Sequence, residues 1–157
     1  MMNIILLILS IAVFSAFTLF VKNKYGVQHS ISASIKVLTG ILEKSYYSWF
    51  ILGVAIPMMI VSNTALGWWA GALLSIDAAA VSAGDRLQIF LHCFGADAGI
   101  AVGMLMLILN FHLWWLVAIF ALFCLYALIK KIPNIAWWIE TAAFMIVTVG
   151  LLISRVF

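Results

Sequence analysis

The sequence predicts an all-α fold, a six-transmembrane-helix bundle of a polytopic integral membrane protein, with one amphipathic helix lying in the interface. Three observations carry this. Of 157 residues, 68% are hydrophobic and 8% charged, whereas a water-soluble domain carries about 25% charged residues. So few charges leave lipid as the main solvent. Second, the apolar residues fall into six stretches, about 3–21, 48–63, 66–83, 87–110, 113–130 and 134–155. One helical crossing takes about 17–25 apolar residues. Third, seven of the eight cations fall in alternate loops: Lys22, Lys24, Lys36 and Lys44, then Arg86, then Lys130 and Lys131. Only Arg155 falls on the other side. Under the positive-inside rule both termini then face outward and the cation-bearing loops are cytoplasmic.

The first stretch has no cation before it and no Ala-x-Ala site after it. That is the reverse of a signal peptide, so it reads as an uncleaved first span. Residues 22–47 are too many for a simple turn. Ile31, Ile35, Leu38 and Leu42 recur at helical spacing, with Ser32, Lys36 and Glu43 opposite. This predicts an interfacial helix over about 31–43, with Ser30 as its N-cap. Ser62-Asn63-Thr64 and Gly67 predict a tight hairpin between spans two and three. All seven tryptophans (Trp49, Trp68, Trp69, Trp114, Trp115, Trp137 and Trp138) lie near a proposed span end. Headgroup level suits them, because the ring is apolar and its N–H still finds a partner.

Four ionisable residues fall inside the spans: Asp77, His92, Asp97 and Glu140. Such residues are expensive at membrane depth and need partners. The helical rise puts three of them about 7–10 Å from the cytoplasmic boundary and Asp97 about 15 Å from it. A shared cluster in the cytoplasmic half is therefore expected, capped by the serines of the first loop. Gly95, Gly99 and Gly103 form a small-residue stripe for close helix packing, which His92 and Gln88 share. Asp97 points the other way, with Cys93 and Ala101. Demands on both sides predict that span four is central and surrounded.

The candidate catalytic residues are His92, Asp97, Glu140 and Ser32. Candidate metal ligands are His92, Asp77 and Glu140, a divalent metal being the only cofactor such donors suggest. None is required, because a hydrogen-bonded knot that fixes helix register uses the same residues. Cys93 and Cys124 have no metal or disulfide spacing and read as small buried hydrophobes. A conduit needs polar residues continuing outward, and the outer halves offer only Ser10, Ser15, Ser62 and Thr148. No basic run with interleaved aromatics points to nucleic acid. The expected partners are membrane lipid and other membrane subunits, or a second copy.

"SISAS" at Ser30–Ser34, His92 early in span four and "WWIETAAF" at Trp137–Phe144 resemble a family of small six-span membrane proteins of bacteria and bacteriophages, of Bacteroides type. The matching polar positions are Ser30, Ser32, His92 and Glu140. The resemblance implies a multi-pass protein of the bacterial inner membrane, phage-associated in some cases, and brings no activity. A weaker similarity is to the ceramidase and progestin-receptor-like membrane hydrolases. This chain has six spans where those have seven, and it lacks their paired C-terminal histidines. The reading is a non-enzymatic membrane subunit or accessory protein. The alternatives are a metal-dependent intramembrane lipid hydrolase and a small proton or ion conduit.

Overall fold

The computed structural model describes residues 2–38, 41–80 and 85–156, with the side chains of 35, 36, 41, 43, 85, 86, 88, 89 and 156 outside the description. Among the described residues the fold is all helical. It comprises α1 (Met2–Tyr25), a short 3₁₀ helix (Ser32–Lys36), α2 (Ile41–Ser62), α3 (Ala65–Ala79), α4 (Asp85–Leu109), α5 (Trp114–Ile129) and α6 (Ile135–Val156). Helices are the solution an apolar solvent allows, because each satisfies its own backbone polar groups.

Four of the six helices contain a segment long and apolar enough to cross a membrane: Met2–Tyr25, Lys44–Ser62, Phe90–Leu109 and Ile135–Arg155. The other two, Ala65–Ala79 and Trp114–Ile129, are shorter. At the helical rise they reach about 22 and 24 Å, against a hydrocarbon core of about 30 Å. Six helices are therefore present where six spans are expected, and length and composition qualify four.

The expected interfacial helix over 31–43 is not formed. Residues 32–36 make one 3₁₀ turn, residues 39–40 lie outside the described residues, and α2 already begins at Ile41. Ile31 and Leu38 are buried in the core instead of facing a membrane surface. The cause is a strap of hydrogen bonds to the start of α6. The backbone N–H of Trp137 donates to His29 O (3.2 Å), and Asn134 Nδ2 donates to Val27 O (3.1 Å). Ser32 is held by Glu140, as described below. A helix lying flat in the interface cannot keep these bonds.

The α2–α3 hairpin forms as expected. Asn63 takes a positive φ of 47°, and Thr64 Oγ1 accepts the N–H of Gly67 at 3.1 Å as an N-cap. At the same end Arg155 caps α2. Its Nε donates to Val61 O (2.9 Å), and Nη2 to Val61 O and to Ser62 O (3.0 Å). These are last-turn carbonyls that have no intrahelical partner.

The tightest pairings are α3 with α4 and with α2, followed by α1 with α2, while α5 attaches through fewer contacts. The core has two parts. One is aromatic, with Phe14 stacked on Phe144 (3.9 Å between centroids) and Phe17 on Phe50 (4.3 Å). The other is built from methionine and leucine, around Met58, Met106, Leu107 and Leu151. Six tryptophans are exposed, and Trp137 is buried in the aromatic part under the strap.

Candidate functional site

The aromatic part of the core surrounds a polar constellation. Asp77 stands in the last turn of α3 and is 1% exposed. Its carboxylate accepts from two other helices. Tyr47 of α2 donates its hydroxyl to Oδ2 (3.0 Å) and Oδ1 (3.2 Å), and Nδ1 of His92 on α4 contacts Oδ1. The hydroxyl of Ser48 adds a bond from α2 to Ala78 O at 3.0 Å. With Nδ1 engaged, Nε2 of His92 is buried without a hydrogen-bond partner among the described residues.

This geometry requires α3 and α4 to approach closely, and two glycines allow it. A Cβ on Gly95 would lie 2.7 Å from Asp77 N and from Leu73 O. One on Gly99 would lie 2.9 Å from the Leu74 side chain. The third glycine of the expected stripe faces another neighbour. A Cβ on Gly103 would meet only Val147 of α6, at an ordinary 3.5 Å. Gln88, expected on the same stripe, has its side chain outside the described residues.

A second polar group joins the strap to α6. Glu140 accepts the backbone N–H of Ser32 at Oε2 (3.0 Å) and the Ser32 hydroxyl at Oε1 (2.9 Å). Ser30 Oγ accepts the N–H of Ala33 at 2.8 Å and lies 2.9 Å from Ser32 Oγ, but the N-cap of the 3₁₀ helix is Ile31, not the expected Ser30.

Both groups line one half-open cavity of about 100 Å³, with Tyr47, Asp77, Ser32 and Glu140 among its polar residues. The buried hydroxyl residues Ser10 and Thr148 line the same cavity. Phe14, Ile51, Val54, Ile100 and Val147 also line it. These five offer no hydrogen-bonding side chain, so the polar lining is interrupted.

Of the residues singled out in the sequence, the structure brings Asp77 and His92 into contact and joins Ser32 to Glu140. Asp97 does not join them. It is exposed, with Cys93 and Ala101, on the face of α4 turned away from the glycines. The expectation that α4 is surrounded on all sides is therefore corrected, as is the burial of Cys93. Close packing onto α3 uses up one face of α4 and leaves the opposite one uncovered. A carboxylate at the centre of a spanning helix costs about 2.5–3.5 kcal/mol on insertion scales. His29 and His112 are exposed in loops.

Among the described residues no group of three or more His, Cys, Asp or Glu is arranged to hold a metal ion. His92 and Asp77 supply one pair, and Glu140 is committed to Ser32. Tyr47 is the member that sequence reading omits, because span two was started at residue 48. The signal was present: Tyr47, Phe50, Ile51 and Val54 follow helical spacing, and all four line the cavity. Comparisons with protein-family models, with curated proteins and with solved structures gave no match.

Proposed function

We propose that this chain is a non-enzymatic subunit or accessory protein of the bacterial inner membrane, acting through lipid and helix contacts. The observation that carries the reading is the state of two carboxylates, buried Asp77 and half-buried Glu140. Asp77 already takes donors from α2 and α4, and Glu140 takes two from the strap. Their hydrogen-bonding capacity goes into joining helices, as in a knot that fixes register.

In this reading all six helices cross the membrane, the two short ones through local thinning of the bilayer. The seven cations at one end face the cytoplasm, and both termini lie outside. A metal-dependent hydrolase needs converging ligands, and a conduit needs a continuous polar path. The donor sets and cavity lining described above favour neither.

Elemental analysis of the purified protein beside His92→Ala and Glu140→Ala tests the proposal. The expected result is no stoichiometric metal in any of the three, with both variants less heat-stable. A stoichiometric metal in the wild type, lost in both variants, overturns it in favour of the hydrolase. Reporter fusions at each terminus test the orientation.

A further inference from the structure

Asp97 lies inside the apolar segment Phe90–Leu109 of α4, about 10 Å from its start and about 18 Å from its end. Its carboxylate is on the exposed face, one turn from Cys93 and one turn from Ala101, with exposed Phe90, Phe94 and Leu105 around them. Small side chains on either side of an acidic one form a strip that a second helix can approach closely.

We infer that this face of α4 is a docking surface for a transmembrane helix of another protein that carries a basic side chain near its own midpoint. The inference rests on the reading of the chain as a membrane subunit and names its partner's chemistry. Charge complementarity decides the occupant, because an intramembrane carboxylate calls for a cation at the same depth. A second copy of this chain has none to give. Its Lys and Arg residues (Lys22, Lys24, Lys36, Lys44, Arg86, Lys130, Lys131 and Arg155) all lie at helix ends or in loops. His92 is engaged with Asp77, and His29 and His112 lie in loops. The counter-charge therefore comes from a different chain.

The test uses the full chain in liposomes with Cys124→Ser, which leaves Cys93 as the one thiol. The probe is a synthetic polyleucine transmembrane peptide with a central lysine and a cysteine one turn away, beside the same peptide with leucine in place of the lysine. With copper–phenanthroline added as the oxidant, the expected result is disulfide formation with the lysine peptide at least tenfold above the leucine peptide. Asp97→Leu should abolish that preference. Equal crosslinking of the two peptides, or a preference that survives Asp97→Leu, overturns the inference. So does a Cys93–Cys93 disulfide between copies that the lysine peptide does not displace. Asp97 makes no contact in the knot, so Asp97→Leu folds whether or not the knot reading holds. Failure of one reading is thus separable from failure of the other.

Discussion

Asp77 and Asp97 are the same residue type in neighbouring apolar helices, and the fold treats them in opposite ways. Asp77 is sealed between α2 and α4 and takes donors from both. Asp97 lies exposed on the outer face of α4, uncovered by the described residues. The difference comes from the glycines. Gly95 and Gly99 let the α4 backbone settle onto α3, and that choice of face turns the 93–97–101 line outward. One carboxylate then serves the chain's own assembly, and the other is left for a partner.

The contrast is broken most severely at Asp77. Replacement by leucine removes the acceptor of both Tyr47 and His92 and leaves them only their long mutual contact of 3.4 Å. The expected loss is about 3–5 kcal/mol, read from unfolding in mixed micelles by tryptophan fluorescence. Asp77→Asn keeps one acceptor oxygen and should cost less. A Leu variant as stable as the wild type would remove the knot from the account.

The glycine stripe gives the next largest effect and separates its own members. Gly95→Ala drives a methyl group into the α3 backbone, at an expected cost of about 1–3 kcal/mol. Gly103→Ala meets only Val147 at ordinary contact. It should be neutral, or stabilising by up to about 1 kcal/mol through helix propensity. Equal effects at the two positions would mean that α4 packs on a different face.

Ser32→Ala should cost about 1 kcal/mol. Its clearer signature is local: faster amide exchange over residues 27–34, because one of the two bonds to Glu140 is lost. The smallest effect belongs to Asp97. In the isolated chain Asp97→Leu should stay within about 0.5 kcal/mol of the wild type. A large loss there would show that Asp97 already has a partner within the chain.

The sequence by itself determined the apolar character of this protein, its six long helices among the described residues and most of their ends. Apolar run length and hairpin residues such as Asn63 and Thr64 are local properties, so all six helices fall within a few residues of the expected stretches, except at the start of α2. It also named Asp77, His92, Ser32 and Glu140 as polar residues in need of partners, because the cost of burying them in an apolar segment is legible residue by residue.

Helix rotation and long-range pairing were decided only by the tertiary structure. Periodicity put Asp97 opposite Gly95 and Gly99 but could not say which of the two faces would be covered. The 31–43 segment has helical spacing, yet Ser32 is held by a glutamate 108 residues away, and that bond overrides local preference. Tyr47 completes the knot because α2 begins about two turns earlier than its apolar run suggests. Each of these outcomes depends on which surfaces meet, and pairwise contact between distant residues leaves no local trace in the chain.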